Sequence, residues 1–146
     1  MIYILYGQPG SGKTTLANCL KEHLVKKIIR SAVYSPKIPE IIDGDEFREL
    51  FSNKNYGREG REQNIRNANI VATYINKAQK RDIILSLVNP YENLRNELRQ
   101  CNPDQVIEIY LHSTRDLRKE YHVDGLEIGS PQFSLSTDRS VEHTWN

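Results

Sequence analysis

Residues 1–20 read MIYILYGQPGSGKTTLANCL and contain the stretch that decides the fold. Ile2–Tyr6 suits a buried strand and runs directly into a glycine-rich segment that ends in Lys13 and Thr14. Apolar side chains at helical spacing follow, which predicts a helix from Thr14 to about Ile29. A glycine-rich loop between a strand and a helix is typical of a phosphate-binding site.

Residues 7–14 fit the pattern G-x-x-x-x-G-K-[ST] in full. In such a loop the glycines let backbone N–H groups turn toward a β-phosphate, and the following helix N-terminus adds its positive end. Lys13 is expected to bridge the β- and γ-phosphates of a nucleoside triphosphate, and the Thr14 hydroxyl to bind Mg²⁺. A glycine-rich turn that binds nothing is the alternative, but strand, loop and helix all fall where the pattern requires. The residues predicted to bind the nucleoside triphosphate are Gly7, Gln8, Pro9, Gly10, Ser11, Gly12, Lys13, Thr14 and Thr15.

Composition argues against several other classes of protein. The 146 residues suit one domain, and a net charge of +1 gives no strongly basic surface for nucleic acid. No apolar run reaches the ~20 residues that a membrane helix needs. Met1 leads straight into a strand, so we expect no signal peptide and a cytoplasmic location. Cys19, Cys101 and the four histidines lack metal-ligand spacing, which predicts two reduced core thiols and no zinc site.

Strand-like and helix-like runs alternate along the rest of the chain. The predicted strands are Ile38–Asp43, Ile83–Val88 and Val106–Leu111, and the predicted helices are Asp45–Phe51, Glu59–Lys80, Tyr91–Cys101 and a short one from Ser113. One face of the longest helix is predicted to carry Ile65, Ala68, Ala72, Ile75 and Gln79. Residues 121–133 are expected to form a loop. Apolar strands separated by helices indicate a mostly parallel sheet covered on both faces, so we expect a three-layer α/β/α fold of the P-loop NTPase and kinase kind.

Two carboxylates follow the second predicted strand, in residues 41–45 (IIDGD). Because the carboxyl ends of parallel strands form the ligand edge of an open sheet, Asp43 and Asp45 are expected beside the phosphate loop. There, Asp45 and Thr14 would hold Mg²⁺, and the carboxylates would accept a proton from an attacking hydroxyl. Lys13, Asp45 and Asp43 are therefore the predicted catalytic residues. The alternative is that Asp43 or Asp45 caps the following helix, and both roles can hold at once.

A third group of residues is polar and mostly basic, and consists of Arg48, Tyr56, Arg58, Arg61, Asn64 and Arg66. Arg61 and Asn64 lie three positions apart on the predicted helix and share a face, whereas Arg66 points away. Arginines near a phosphate loop suit a second anionic group, because a guanidinium binds an oxyanion at two points. For Arg58 and Arg66 a solvated basic surface is the preferred interpretation.

Taken together, these residues resemble the adenylylsulfate kinase family, which phosphorylates the 3′-hydroxyl of adenosine 5′-phosphosulfate with ATP. The family pattern D-G-D-N-x-R is matched by residues 43–48 (DGDEFR). An aromatic residue followed by D-R-x-E-N-I-R is matched by Tyr56 and residues 60–66 (GREQNIR), and I-S-P-Y by residues 88–91 (VNPY). The resemblance runs from Ile2 to about Leu111.

The resemblance implies a role for each matched residue. Lys13 and Thr14 would handle ATP and Mg²⁺, and Asp45 would lie at the metal and the attacking hydroxyl with Asp43 in support. The residues implied to bind the acceptor are Arg48, Tyr56, Arg61, Asn64 and Asn89. A small molecule is thus the expected partner, with no nucleic acid and no membrane, and a homodimer is the alternative to a monomer.

The chain also departs from the family pattern. Gly60 stands where the family has aspartate, and Asn89 where it has the serine of I-S-P-Y. The family's lid K-G-L-Y-K-K-A-R and its N-F-T-G segment are missing, and residues 113–121 (STRDLRKEY) are the whole lid remnant, with Arg115, Arg118 and Lys119 as candidate lid cations. Residues 135–142 resemble the family's last strand and helix start, cut short. Because phosphoryl transfer needs water kept out, so short a lid predicts a slow enzyme or a different acceptor.

Other functions share part of this pattern. One alternative is that the chain is another kind of small P-loop kinase, which acts on a polynucleotide 5′-hydroxyl, a nucleoside monophosphate or a sugar. Such a kinase would differ from an adenylylsulfate kinase only at the acceptor site. A GTPase is disfavoured because residues 76–79 (NKAQ) lack the aspartate of N-K-x-D and fall on a helix. A non-catalytic nucleotide-binding protein is the remaining alternative.

Overall fold

The structure is a computed structural model that describes residues 1–30, 37–114 and 122–138. The strands are β1 (Ile2–Tyr6), β2 (Glu40–Asp43), β3 (Ile83–Ser86), β4 (Val106–His112) and β5 (Phe133–Ser136). The helices are α1 (Lys13–Arg30), α2 (Gly44–Leu50), α3 (Arg58–Ala78) and α4 (Glu92–Cys101). The helix predicted from Ser113 and the helix start after Ser140 lie almost wholly outside the described residues.

The five strands form one parallel sheet in the order β2-β3-β1-β4-β5. The predicted α/β fold with a parallel sheet is confirmed. Because all five strands run in the same direction, their carboxyl ends lie at one edge of the sheet. The loops after β1, β2 and β3 therefore begin at that edge, as ligand loops do in open α/β sheets.

Helices cover both faces of the sheet. Alternate residues of β1 point to opposite faces: Ile4 joins a cluster with Ile65, Ala68 and other residues of α3 and α4, whereas Leu5 joins a cluster with Leu16 of α1. The predicted apolar face of α3 is thus confirmed. None of the described helices is long and apolar enough to cross a membrane.

Two sequence predictions about side-chain placement are wrong. Cys19 is only half-buried, and Cys101 is exposed at the end of α4, so the two free thiols are not core residues. At the end of α4 the buried residue is Asn102 and not Cys101. The Asn102 side chain donates to the Thr73 hydroxyl at 2.9 Å. Gln79 lies beyond the last residue of α3, as its C-cap, and does not extend the apolar face.

A buried arginine connects α4 to the sheet. Arg95 is 1% exposed, and its guanidinium donates to Glu108 Oε1 at 2.9 Å and to the Asn89 carbonyl at 2.6 Å. The guanidinium also lies 4.1 Å from the centre of the Tyr6 ring. Burial raises the pKa of Tyr6 to about 12. Because Glu108 also pairs with Arg99, one buried carboxylate balances two guanidinium groups.

An irregular segment, residues 122–129, crosses the carboxyl edge of the sheet, and we call it the bridging segment. The Gln8 side chain donates to the Val123 carbonyl at 2.8 Å and accepts from the Val123 N–H at 2.9 Å. The Glu127 N–H donates to the Pro90 carbonyl at 2.8 Å. The bridging segment thus joins the loop after β1 to the loop after β3.

The buried ion pair makes the first testable prediction. Glu108→Gln leaves the buried Arg95 without an opposing charge, so we expect the free energy of unfolding to fall by about 3 kcal/mol. Glu97→Gln is the matched control, because Glu97 pairs with Arg66 across 4.0 Å with half its side chain exposed. The control should lose less than about 1 kcal/mol. Equal losses in urea denaturation would contradict the assigned role of the buried pair.

Candidate functional site

The loop after β1 is held tightly against the sheet. Gly7 has φ +153°, and a Cβ at this position would stand 2.3 Å from the Leu111 carbonyl oxygen. Only glycine allows the backbone to pass so close to β4 at this conformation. The loop then turns into α1, whose first residue is Lys13, so the helix N-terminus faces the loop. This is the geometry that the phosphate-binding pattern requires.

Lys13 folds over its own loop. Its ammonium donates to the Gly7 carbonyl at 3.1 Å and to the Gln8 carbonyl at 2.9 Å. The side chain therefore stays within the loop. A bound phosphate would replace these carbonyls as the acceptor for the Lys13 ammonium. The Gln8 side chain faces the opposite way and is committed to Val123.

A first cavity of about 340 Å³ opens in front of this loop. The loop residues that line it are Pro9, Gly10, Gly12, Lys13, Thr14 and Thr15. Asp43, Asp45 and Ser86 line the opposite wall, so the structure brings the loop and both carboxylates together. Gly7, Gln8 and Ser11 lie behind the lining, with Ser11 fully buried.

The two carboxylates differ in what they contact. Asp43 Oδ1 accepts from the Asp45 N–H at 2.9 Å and from the Glu46 N–H at 3.3 Å, which caps α2. The helix-cap alternative is therefore correct for Asp43, and Asp43 also lines the cavity. Asp45 stands in the first turn of α2 with its side chain exposed, which leaves its carboxylate accessible to a ligand.

A second cavity, of about 80 Å³, adjoins the first. It shares Gly44, Asp45, Leu87 and Val88 with the first cavity. The predicted acceptor residues that line it are Arg48, Arg61, Asn64 and Asn89. Asp45 thus lies between a cavity lined by the phosphate loop and a cavity that contains two guanidinium groups.

Two amide side chains in the second cavity each have an oxygen that accepts no hydrogen bond from the described residues. The Asn64 amide nitrogen donates to the Gly44 carbonyl at 3.1 Å, but its Oδ1 is buried without a partner among the described residues. The same is true of Asn89 Oδ1, on a residue that is 2% exposed and has φ +48°. Because a buried oxygen without a hydrogen bond is costly, both oxygens suit a ligand that carries hydroxyl or amino groups.

Tyr56 is not brought into the second cavity. Its side chain is 71% exposed, and its ring lies 4.6 Å from the Arg48 guanidinium. Arg48 also donates to the Asn55 carbonyl at 2.9 Å. Tyr56 therefore stands at the rim, beside an arginine that lines the cavity.

Gly60 explains one departure from the family pattern. A Cβ at Gly60 would stand 1.7 Å from the Asn55 carbonyl oxygen, because the chain before α3 presses directly on the helix. Asn53 secures this contact by donating to the Gly60 carbonyl at 2.8 Å. The family's aspartate does not fit here, and the close contact shapes the segment that carries Tyr56.

The lid remnant is described only at its base. Asp138 Oδ1 accepts two hydrogen bonds here. The Ser113 hydroxyl donates one at 2.6 Å, and the Thr114 N–H donates the other at 2.7 Å. The Ser113 hydrogen bond is the main cause that holds the pKa of Asp138 well below its usual range. The candidate lid cations Arg115, Arg118 and Lys119 lie outside the described residues.

The first cavity offers donors that fit a magnesium nucleotide. The Thr14 hydroxyl and the Asp45 carboxylate are hard oxygen ligands, and both are exposed on the cavity wall. Mg²⁺ is usually bound by one or two side chains together with substrate phosphates. Within residues 1–30, 37–114 and 122–138, no three His, Cys, Asp or Glu side chains gather into a metal site.

Three residues that lie around the site had no predicted role. Tyr91 accepts a hydrogen bond from Arg61 Nε at 3.0 Å, Arg95 holds the Asn89 carbonyl, and Glu127 contacts Pro90. Only Arg95 carried a usable signal, because a charged residue on the buried face of an amphipathic helix needs a partner.

Comparison with known proteins places the chain among small kinases. The sequence profile described as adenylylsulphate kinase matches residues 1–129. No curated protein matches the chain in sequence.

Several solved kinase structures share the fold. An APS kinase from Mycobacterium tuberculosis, in complex with AMPPNP and APS, has 21% identity and a TM-score of 0.74, with 97% of this chain and 91% of that chain covered. A gluconokinase from Sinorhizobium meliloti has 13% identity and a TM-score of 0.67, covering 97% and 85%. A hexameric APS kinase from Thiobacillus denitrificans has 23% identity and a TM-score of 0.65, covering 92% of this chain and 24% of that one.

The close contact between Gly60 and the Asn55 backbone leads to the second prediction. Gly60→Ala drives a methyl group into the Asn55 backbone, so we expect an overpacking cost of about 1–3 kcal/mol in thermal or urea unfolding. Gly57→Ala is the control, because its Cβ would meet only the end of the Asn55 side chain, at 3.1 Å. If both variants unfold alike, the close contact at Gly60 does not constrain the segment before α3.

Proposed function

Because the chain belongs to the adenylylsulphate kinase family, whose profile matches residues 1–129, we propose that it transfers the γ-phosphoryl group of ATP to the 3′-hydroxyl of adenosine 5′-phosphosulfate. It is a kinase by family, and the proposal concerns the two substrates and the residues that bind them. One observation carries it: two cavities meet at Asp45, one lined by a phosphate loop and the other by two arginines.

ATP is assigned to the first cavity. The backbone of the loop and the N-terminus of α1 would bind the phosphates, and Lys13 would leave its loop carbonyls to bridge the β- and γ-phosphates. Thr14 and Asp45 would hold Mg²⁺, which neutralises phosphate charge when it is bound. Asp43 supports this wall by capping α2, which fixes the first turn of the helix that carries Asp45.

Adenosine 5′-phosphosulfate is assigned to the second cavity. Arg48 and Arg61 are the groups for its phosphosulfate, since guanidinium groups bind oxyanions at two points. The free oxygens of Asn64 and Asn89 would accept from hydroxyl or amino groups, which the phosphosulfate lacks and the ribose and adenine supply. Tyr56 at the rim would contact the base or ribose.

The reaction would take place beside Asp45. The 3′-oxygen of the acceptor forms a bond to the γ-phosphorus, and the bond from that phosphorus to the β,γ-bridging oxygen breaks, which releases ADP. The hydroxyl proton passes to the Asp45 carboxylate. The acceptor thereby becomes the 3′-phosphorylated nucleotide. We expect residues 1–146 to form a single domain.

The role of Asp45 makes the third prediction. Asp45→Asn keeps the size of the side chain but removes its charge, so kcat should fall by at least ~10²-fold while the melting temperature changes little. Glu46→Gln is the matched control, because Glu46 is the next acidic residue of α2 and does not line either cavity. An early-melting Asp45→Asn that keeps its rate would show that Asp45 is structural.

The acceptor assignment makes the fourth prediction. In protein saturated with AMPPNP, Arg61→Ala should weaken adenylylsulfate binding by roughly ten- to a hundredfold, the value of a charge-assisted hydrogen bond. Affinity for AMPPNP should stay constant, because the nucleotide occupies the other cavity. Isothermal titration calorimetry measures both affinities. Arg66→Ala is the control on the same helix, since Arg66 lies outside the cavity and pairs with Glu62.

No heat from millimolar adenylylsulfate in the wild-type protein would remove this acceptor. Equal affinities in the wild-type protein and in Arg61→Ala would remove Arg61 from the binding site.

A further inference from the structure

Tyr91 lies directly behind the second cavity. Its side chain is 4% exposed, and its hydroxyl accepts a hydrogen bond from Arg61 Nε at 3.0 Å. The face of its ring lies 4.4 Å from the Arg58 guanidinium. The Tyr91 side chain thus contacts two arginines, of which only Arg61 lines the cavity.

Tyr91 is itself fixed on both sides. Its ring belongs to the core cluster between the sheet and helices α3 and α4. The residue before it is held through the Pro90 carbonyl, which accepts from the Glu127 N–H at 2.8 Å. The residue after it, Glu92, donates its N–H to the Glu127 carboxylate at 3.2 Å. The hydroxyl therefore stands at a fixed point of the structure.

The hydrogen bond to this fixed hydroxyl restricts the Arg61 side chain. A free arginine side chain loses rotamer entropy when a ligand immobilises it. The Tyr91 hydroxyl holds Nε, and the Tyr56 carbonyl holds Nη1 at 3.4 Å. The guanidinium plane is thus oriented before an anion arrives, so less entropy is lost on binding.

We propose that Tyr91 is a positioning residue, which orients the Arg61 guanidinium toward the anionic group of the acceptor without contacting the acceptor itself. The inference rests on the proposed function in one respect, the assignment of Arg61 to the acceptor.

A double-mutant cycle between Tyr91 and Arg61 tests this role. Tyr91→Phe removes the hydroxyl and keeps the ring that packs in the core. With AMPPNP bound, Tyr91→Phe should weaken adenylylsulfate about three- to tenfold, the size of one hydrogen bond, and should leave AMPPNP affinity unchanged. In the Arg61→Ala background the same change should have no further effect. Tyr3→Phe is the control, a partly buried tyrosine on the opposite face of the sheet.

Three outcomes would overturn the role of Tyr91: wild-type acceptor affinity in Tyr91→Phe, the same loss with and without Arg61, or parallel losses of both ligands with early melting. The last would show a purely structural tyrosine. Side-chain ¹H–¹⁵N spectra give a readout that needs no acceptor: the Arg61 Nε–H signal should broaden or exchange faster in Tyr91→Phe, and an unchanged signal would contradict the inference.

Inorganic sulfate, titrated into the AMPPNP complex, separates this inference from the proposed function. If wild-type protein binds sulfate with the predicted cycle but does not bind adenylylsulfate, the acceptor assignment fails and the positioning role of Tyr91 holds. If the cycle is absent for sulfate as well, the positioning role fails.

Discussion

Parallel pairing of the strands is the constraint on which the site depends. β1 pairs with β3 on one side and with β4 on the other, in parallel register, and β2 pairs with β3. The phosphate loop, the Asp43–Asp45 turn and residues 88–91 therefore all emerge at one edge. This arrangement places Asp45 between the two cavities. The hydrophobic layers on both faces of the sheet maintain this alignment.

Much of this arrangement could be predicted from the sequence because its causes are local or periodic. The glycines and Lys13 of the loop follow a fixed pattern, and the apolar face of α3 follows helical spacing. The parallel-sheet rule then predicts that Asp45 lies near the loop. Residue chemistry and then a family pattern singled out the polar residues of the second cavity, and the structure gathers all of them except Tyr56 around that cavity.

Features that depend on long-range contacts could not be predicted. Helical spacing can indicate the burial of Arg95, but its partner Glu108 lies 13 positions away on another element and could not be identified. The exposure of Cys101 depends on Asn102, which takes the core position through contacts with α3. The need for glycine at position 60 arises from the path of the preceding loop, which no spacing rule describes.

The contacts behind the site connect its two halves. Gln8 in the phosphate loop binds Val123, and the same bridging segment binds Pro90 through Glu127. Arg95 adds a bond to the Asn89 carbonyl and so supports a left-handed turn in the wall of the second cavity. The two cavities are thus built on one hydrogen-bonded framework, although no residue of the bridging segment lines either of them.

We propose that the chain phosphorylates a nucleotide bound next to its ATP. The most direct measurement supplies γ-labelled ATP and Mg²⁺ with adenylylsulfate, a nucleoside monophosphate, gluconate and a 5′-hydroxyl oligonucleotide in separate reactions. We expect the label to pass to the 3′-oxygen of adenylylsulfate. The other acceptors should be labelled at a lower rate or not at all. Preferential labelling of another acceptor, or ATP binding with no transfer to any of them, would contradict it.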